Sequence, residues 1–89
     1  KKIPEFKKGK IATSATEGDN FMVLIQEVKA EDFEAYLKEV KKIYTEEVYE
    51  SRTDTMITFG GKGEDQTIVA LNFIIKDETM GVSIQKTEQ

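Results

Sequence analysis

One stretch of this chain repeats its apolar side chains at helical spacing, while every other patterned stretch alternates or runs apolar for a few residues between turn formers. Within Lys29 to Tyr44, the residues Phe33, Tyr36, Leu37, Val40, Ile43 and Tyr44 fall three and four apart in one continuous stripe. Glu31, Asp32 and Glu34 crowd its start and Lys38, Lys41 and Lys42 its end, which suits the helix dipole, and Glu34 and Lys38 are an i,i+4 pair. The stripe is too wide for a coiled-coil seam and too short for a membrane span. The spacing therefore predicts one helix over 30 to 44, lying across a sheet.

The rest of the chain reads as strands. Lys10 to Thr16 is rich in small and β-branched residues, Glu17-Gly18-Asp19-Asn20 supplies turn formers, and Phe21 to Val28 follows at once, so the first element is a β-hairpin. The second strand is apolar on both parities, Phe21, Val23 and Ile25 on one and Met22, Leu24 and Val28 on the other, and is expected to be central or covered on both sides. After the helix, Glu46 to Arg52 has the composition of a charge-defended edge strand. Thr55 to Phe59 is a short strand and Gly60 to Gln66 a mobile turn. Thr67 to Lys76 is the longest β signal, with Val69, Leu71, Phe73 and Ile75 on one face, and with Ile68, Ala70 and Ile74 on the other, which Asn72 interrupts. Met80, Val82 and Ile84 alternate in a last strand. The fold class is thus α+β, one amphipathic helix packed on an antiparallel sheet in the order β-β-α-β-β-β-β. Phe33, Leu37, Val40 and Ile43 should meet Val69, Leu71, Phe73 and Ile75 in the core. Residues 1–9 read as an extended basic arm or tether, and 10–87 as a single domain.

Composition limits the chemistry. In 89 residues there is no Cys and no His, which removes disulfides, thiol chemistry, histidine-based triads and the two commonest zinc ligands. A 34% share of charged residues against 38% apolar is the balance of a folded domain rather than a disordered tail. The net charge is −4. Lys1, Lys2, Lys7, Lys8 and Lys10 against Glu5 give the first ten residues +4, so the body carries −8. An acidic body with a single Arg argues against nucleic acid as a partner. No apolar run is long enough to span a membrane.

Each tempting motif has a plainer explanation. Gly60-Gly61-Lys62-Gly63 lacks the Ser or Thr and the helix mouth of a phosphate-binding loop. Glu46, Glu47, Glu50 and Asp54 are candidate acid and base carboxylates, but alternating charge in a strand is normally solvated. Glu17 with Asp19 and Asn20, Glu64 with Asp65, and Asp77 with Glu78 supply oxygens without the spacing of a calcium loop. No catalytic, cofactor or metal residue is therefore assigned. Phe33, Tyr36, Tyr44 and Tyr49 offer a conceivable aromatic platform; Tyr36 and Tyr44 sit on the buried stripe and read as core, which leaves Tyr49 as the candidate exposed aromatic. Asn72 is a candidate buried polar residue that completes a hydrogen-bond network.

Pro4, Phe6, Gly9 and Ile11 at the start, Glu31-Asp32-Phe33-Glu34-Ala35-Tyr36 at the helix start, Tyr44-Thr45 after it and Met80-Gly81-Val82-Ser83-Ile84 at the end form a pattern spanning nearly the whole chain. This pattern resembles a family of small domains of unknown function in exported proteins and lipoproteins of Gram-positive gut bacteria. The resemblance implies an envelope location and a helix on an antiparallel sheet; it implies no activity.

The functional expectation is a non-catalytic binding or structural module of an exported or envelope-anchored bacterial protein, with an upstream leader removed; a cytoplasmic home stays open. Its partner would be an unidentified protein or envelope component, with no nucleic acid and no cofactor. The alternative is a small-ligand carrier or carboxylate-based enzyme with a pocket between helix and sheet. The first strand has no charge between Lys10 and Glu17. If it is a sheet edge, Ile11, Thr13 and Ala15 mark an interaction edge, open to homodimerisation or partner-strand addition.

Overall fold

The hairpin expected at the N-terminus opens the fold: β1 (Lys10–Glu17) and β2 (Asn20–Gln26) pair antiparallel. Helix α1 (Ala30–Ile43) follows, then β3 (Glu46–Arg52), β4 (Met56–Lys62), β5 (Thr67–Ile74) and β6 (Thr79–Lys86). The computed structural model describes residue 6 and residues 9–18, 20–63 and 66–86. The fold is α+β, with all six strands in one antiparallel sheet of order β1-β2-β6-β5-β4-β3. Strands β3 to β6 form a meander whose last member returns to lie beside β2. The helix carries the chain from β2 across to the far edge.

Helix α1 buries the predicted stripe except at Ile43, which is only partly buried. Phe33, Leu37 and Val40 are at most 1% exposed and Tyr44 closes the last turn, its N–H donating to the Val40 carbonyl at 3.0 Å. The Phe33 ring stacks on Phe73 of β5 with centroids 4.7 Å apart. Val23, Ile25, Ile57, Phe59, Val69, Leu71, Met80 and Val82 complete the core on that face of the sheet. Glu34 near the start of α1 and Lys41 near its end both reach β3, so the helix lies towards that edge of the sheet. At the other edge all eight β1 residues are exposed.

Several expectations are corrected. β2 is covered on one face only: Val23 and Ile25 meet the core, while Met22 and Leu24 on the other parity stay exposed. Val28 reaches the core because Glu27 takes a positive φ of 60°, which turns the chain after the strand. β4 does not stop at Phe59 but continues through Gly60, Gly61 and Lys62, so the turn begins at Gly63. The reason is a close passage: a Cβ on Gly61 would lie 3.0 Å from the Tyr44 carbonyl oxygen and 3.1 Å from the Phe59 ring, so a glycine suits strand as well as turn here. β5 ends at Ile74, and Ile75 is only half-buried, its N–H donating to Thr55 O at 3.0 Å. Glu34 is held by Arg52 of β3 rather than by Lys38. Asn72 is exposed, not buried, and its side-chain oxygen accepts from the Thr58 hydroxyl across the strand pair at 3.2 Å.

Of the basic arm, residues 1–5, 7 and 8 lie outside the described residues. Phe6 packs edge-on against Tyr36 with ring centroids 5.1 Å apart. Residue 87, the expected end of the domain, is also outside them. No helix among the described residues is long and apolar enough to cross a membrane.

Candidate functional site

The two edges of the sheet are built differently. β3, the edge beyond β4, carries Glu46, Glu47, Glu50 and Arg52, and its register shifts between Glu46 and Tyr49, where Glu47 has φ 49°. Charge and irregularity both discourage a further strand. Its helix-facing side is also pinned. The Arg52 guanidinium donates to both Glu34 carboxylate oxygens, at 2.7 and 2.9 Å, and through Nε to Glu50 at 2.7 Å, while Lys41 Nζ lies 2.6 Å from the other Glu50 oxygen. The hydrogen bonds from Arg52 hold the Glu34 carboxyl below its usual range, and those from Lys41 and then Arg52 do the same for Glu50. The same contacts, with Glu34 first, push the Arg52 guanidinium up.

β1 has no such defence along most of its length. From Ile11 to Thr16 it is uncharged and exposed, and charge returns at its ends, where Lys10 Nζ lies 3.9 Å from Glu27. Its register shifts between Ile11 and Thr13. That shift separates the residues marked in the sequence: Ile11 pairs with Ile25 and lies on the helix side, whereas Thr13 and Ala15 pair with Leu24 and Met22 and lie on the open side. The regular part of the edge is thus Thr13 to Glu17. Tyr49, 61% exposed, stands on the opposite edge strand, five strand spacings or about 24 Å away, so it is not part of the same edge.

The face of the sheet away from the helix is the feature that sequence reasoning passed over. Pairing places Ala15, Met22, Ser83, Ala70, Gly60 and Tyr49 in one row across all six strands. The next row is Thr13, Leu24, Gly81, Asn72, Thr58 and Ser51. Neither row contains an Asp, Glu, Lys or Arg, in a chain where such residues are 34%. Met22, Leu24, Met56, Ile68, Ile74 and Tyr49 project from this face with exposures of 37% to 61%. A cleft of about 280 Å³ opens over Gly81 between Leu24 and Asn72, and one of about 260 Å³ lies beside it between Met22 and Gln85. The signal available in the sequence was the second apolar parity of β2 and of β5 together with the small residues Gly81 and Ser83 at alternate positions of β6.

Several of the candidate carboxylates are held in ion pairs or turns. Glu50 is paired with Arg52 and Lys41, and Glu47 with Lys62 at 3.6 Å. A carboxyl with a lowered pKa is the reverse of what a general acid near neutrality requires. Asp77 and Glu78 form the turn before β6, where the Thr79 hydroxyl donates to the Asp77 carbonyl at 3.1 Å. Asp19, Glu64 and Asp65 lie outside the described residues. Among the described residues no group of three or more acidic side chains converges as a metal site. The space between α1 and the sheet holds the rings of Phe33, Phe59 and Phe73 with Leu37, Val40 and Leu71, all at most 1% exposed. Tyr36 and Tyr44 also face inward, and burial, with Tyr44 adding to it, pushes the Tyr36 phenol up.

Comparison with known proteins finds no family model, no curated protein and no solved structure that matches this chain.

Proposed function

We propose that this domain is a non-catalytic binding or structural module of an exported or envelope-anchored protein, and that it engages a protein partner by accepting a strand on the β1 edge. The observation that carries this reading is the contrast between the two edges. β3 is charged, irregular and clamped to the helix, whereas β1 offers an exposed, uncharged backbone from Ile11 to Thr16. Main-chain pairing would supply affinity, and the side chains of Thr13 and Ala15 would set which extended segments fit. The acidic body disfavours nucleic acid as the partner. An envelope location is supported by the family resemblance and by the five lysines of residues 1–10, which favour an anionic surface.

Random-sequence peptides selected on the immobilised domain test the edge. Selected peptides should be extended and β-branched and should slow amide exchange at residues 13 to 17. Ser14→Pro and Ala15→Pro, at neighbouring positions of opposite hydrogen-bonding sense, should each abolish binding, and the one that removes an outward N–H should leave the melting temperature nearly unchanged. Protection centred on α1 instead would sink the reading. Location is tested by the full gene: an upstream leader ending in a lipid-acceptor Cys or a cleavage site is expected.

A further inference from the structure

We infer that the open face of the sheet pairs with the same face of a second copy, forming a two-layer sandwich about a two-fold axis that runs along the strands between β5 and β6. The face asks for a partner because it is uncharged across two full rows and projects Met22, Leu24, Ile68 and Ile74. What identifies that partner is the order of large and small residues along each row. A two-fold axis in this position sets β2 of one copy over β4 of the other, β6 over β5, and β1 over β3. Met22 then meets Gly60, Tyr49 meets Ala15, and Ser83 meets Ala70. In the second row, Leu24 meets Thr58 and Asn72 overlies the hollow at Gly81. In these two rows each large side chain faces a smaller one, the interdigitation that sheet-on-sheet packing about 10 Å apart requires.

The area is also sufficient. Six strands about 4.8 Å apart, of 7 or 8 residues at about 3.3 Å each, give a face of about 700 Å². Two copies would bury about 1,400 Å², within the range of stable protein interfaces. The sandwich covers the Thr13 and Ala15 side chains but leaves the outward backbone groups of β1 accessible, so the dimer would present two such backbone edges.

Sedimentation across micromolar to millimolar protein tests the inference. The parent chain should be in monomer–dimer equilibrium. Ala70→Glu places a carboxylate at the centre of the face, twice in the symmetric interface, and should weaken the dimer by roughly a hundredfold or more while far-UV circular dichroism stays unchanged. Met22→Lys, at a position 57% exposed in the single chain, guards against a folding defect and should also dissociate the dimer. The β1 amides that point outward from the sheet edge, away from β2, should exchange alike in monomer and dimer. A monomer at every concentration, a dimer indifferent to both substitutions, or a dimer that newly protects the outward edge amides of residues 13 to 17 would each overturn the face-to-face arrangement.

Discussion

Leu37 and the pair Gly60–Gly61 show how much a single side chain decides in this small domain. Leu37 is 1% exposed at the middle of the α1 stripe, so Leu37→Ala removes buried methyl groups and leaves a cavity against the sheet. We expect a loss of about 2 to 5 kcal/mol in chemical denaturation. The two glycines make a sharper comparison. Gly61→Ala would drive a methyl group to 3.0 Å from a backbone oxygen, which cannot rotate away, and should cost about 1 to 3 kcal/mol. At Gly60 the nearest atom to a new Cβ is the Val69 oxygen at 3.8 Å, so Gly60→Ala should be neutral or stabilising by about 0.5 kcal/mol. Equal effects at the two sites would show that Tyr44 does not press on β4. This difference could not be read in Gly60-Gly61-Lys62-Gly63, which has the composition of a turn, because it depends on where the helix ends in space. The opposite case is Tyr36 and Tyr44, legible as core from the helical stripe alone.

At the scale of elements, α1 is tied to β3 by Glu34, Arg52, Glu50 and Lys41. The boundaries of α1 were legible because a 3.6-residue stripe and its end charges are local, whereas the pairing of Glu34 with Arg52 joins residues far apart in sequence and had no local signal. The register shifts in β1 and β3 were hidden for the same reason: alternation in one strand does not show where its neighbour slips. The charge cluster gives the domain a defined acid response. Glu34 and Glu50 have lowered pKa values, so their stabilisation is complete above the ordinary value of 4.5 and is lost as pH falls through the lower folded values. Arg52→Gln should therefore lower stability at neutral pH by about 1 kcal/mol or less, since these are half-exposed pairs. Parent and variant curves should converge well below pH 4.5. A gap of constant size down to acid would assign the role of Arg52 to packing of its aliphatic stem.

For the whole molecule, the hairpins were readable from their turns, but the strand order was not. β6 lies between β2 and β5 because Val82 pairs with both Val23 and Leu71, and nothing local in the last strand announces its two neighbours. The rows of the open face depend on that order, which is why the residues proposed for self-association could not be grouped beforehand. The same rows yield a prediction that separates the two ways this chain can associate. Glu17 pairs with Asn20, one place beyond the Phe21–Ile84 pair, which sets it level with Gln85, Ile68 and Lys62, and Glu46, paired with Lys62, ends that level on β3. The two-fold arrangement sets β1 over β3, so Glu17 of each copy faces Glu46 of the other at the rim. Two like-charged contacts, between molecules that each carry −4, should make association of the parent chain tighter as salt rises. Glu17→Lys turns both contacts attractive. It should tighten the dimer by about twofold to thirtyfold at low salt, from about 0.2 to 1 kcal/mol for each of the two charge reversals, and reverse the salt dependence. Through the β1 edge the outcome has the other sign, because an added Lys on an edge strand discourages pairing. Sedimentation of parent and variant at low and high salt reads both effects; a weaker dimer in Glu17→Lys would place the contact at the strand edge rather than on the open face.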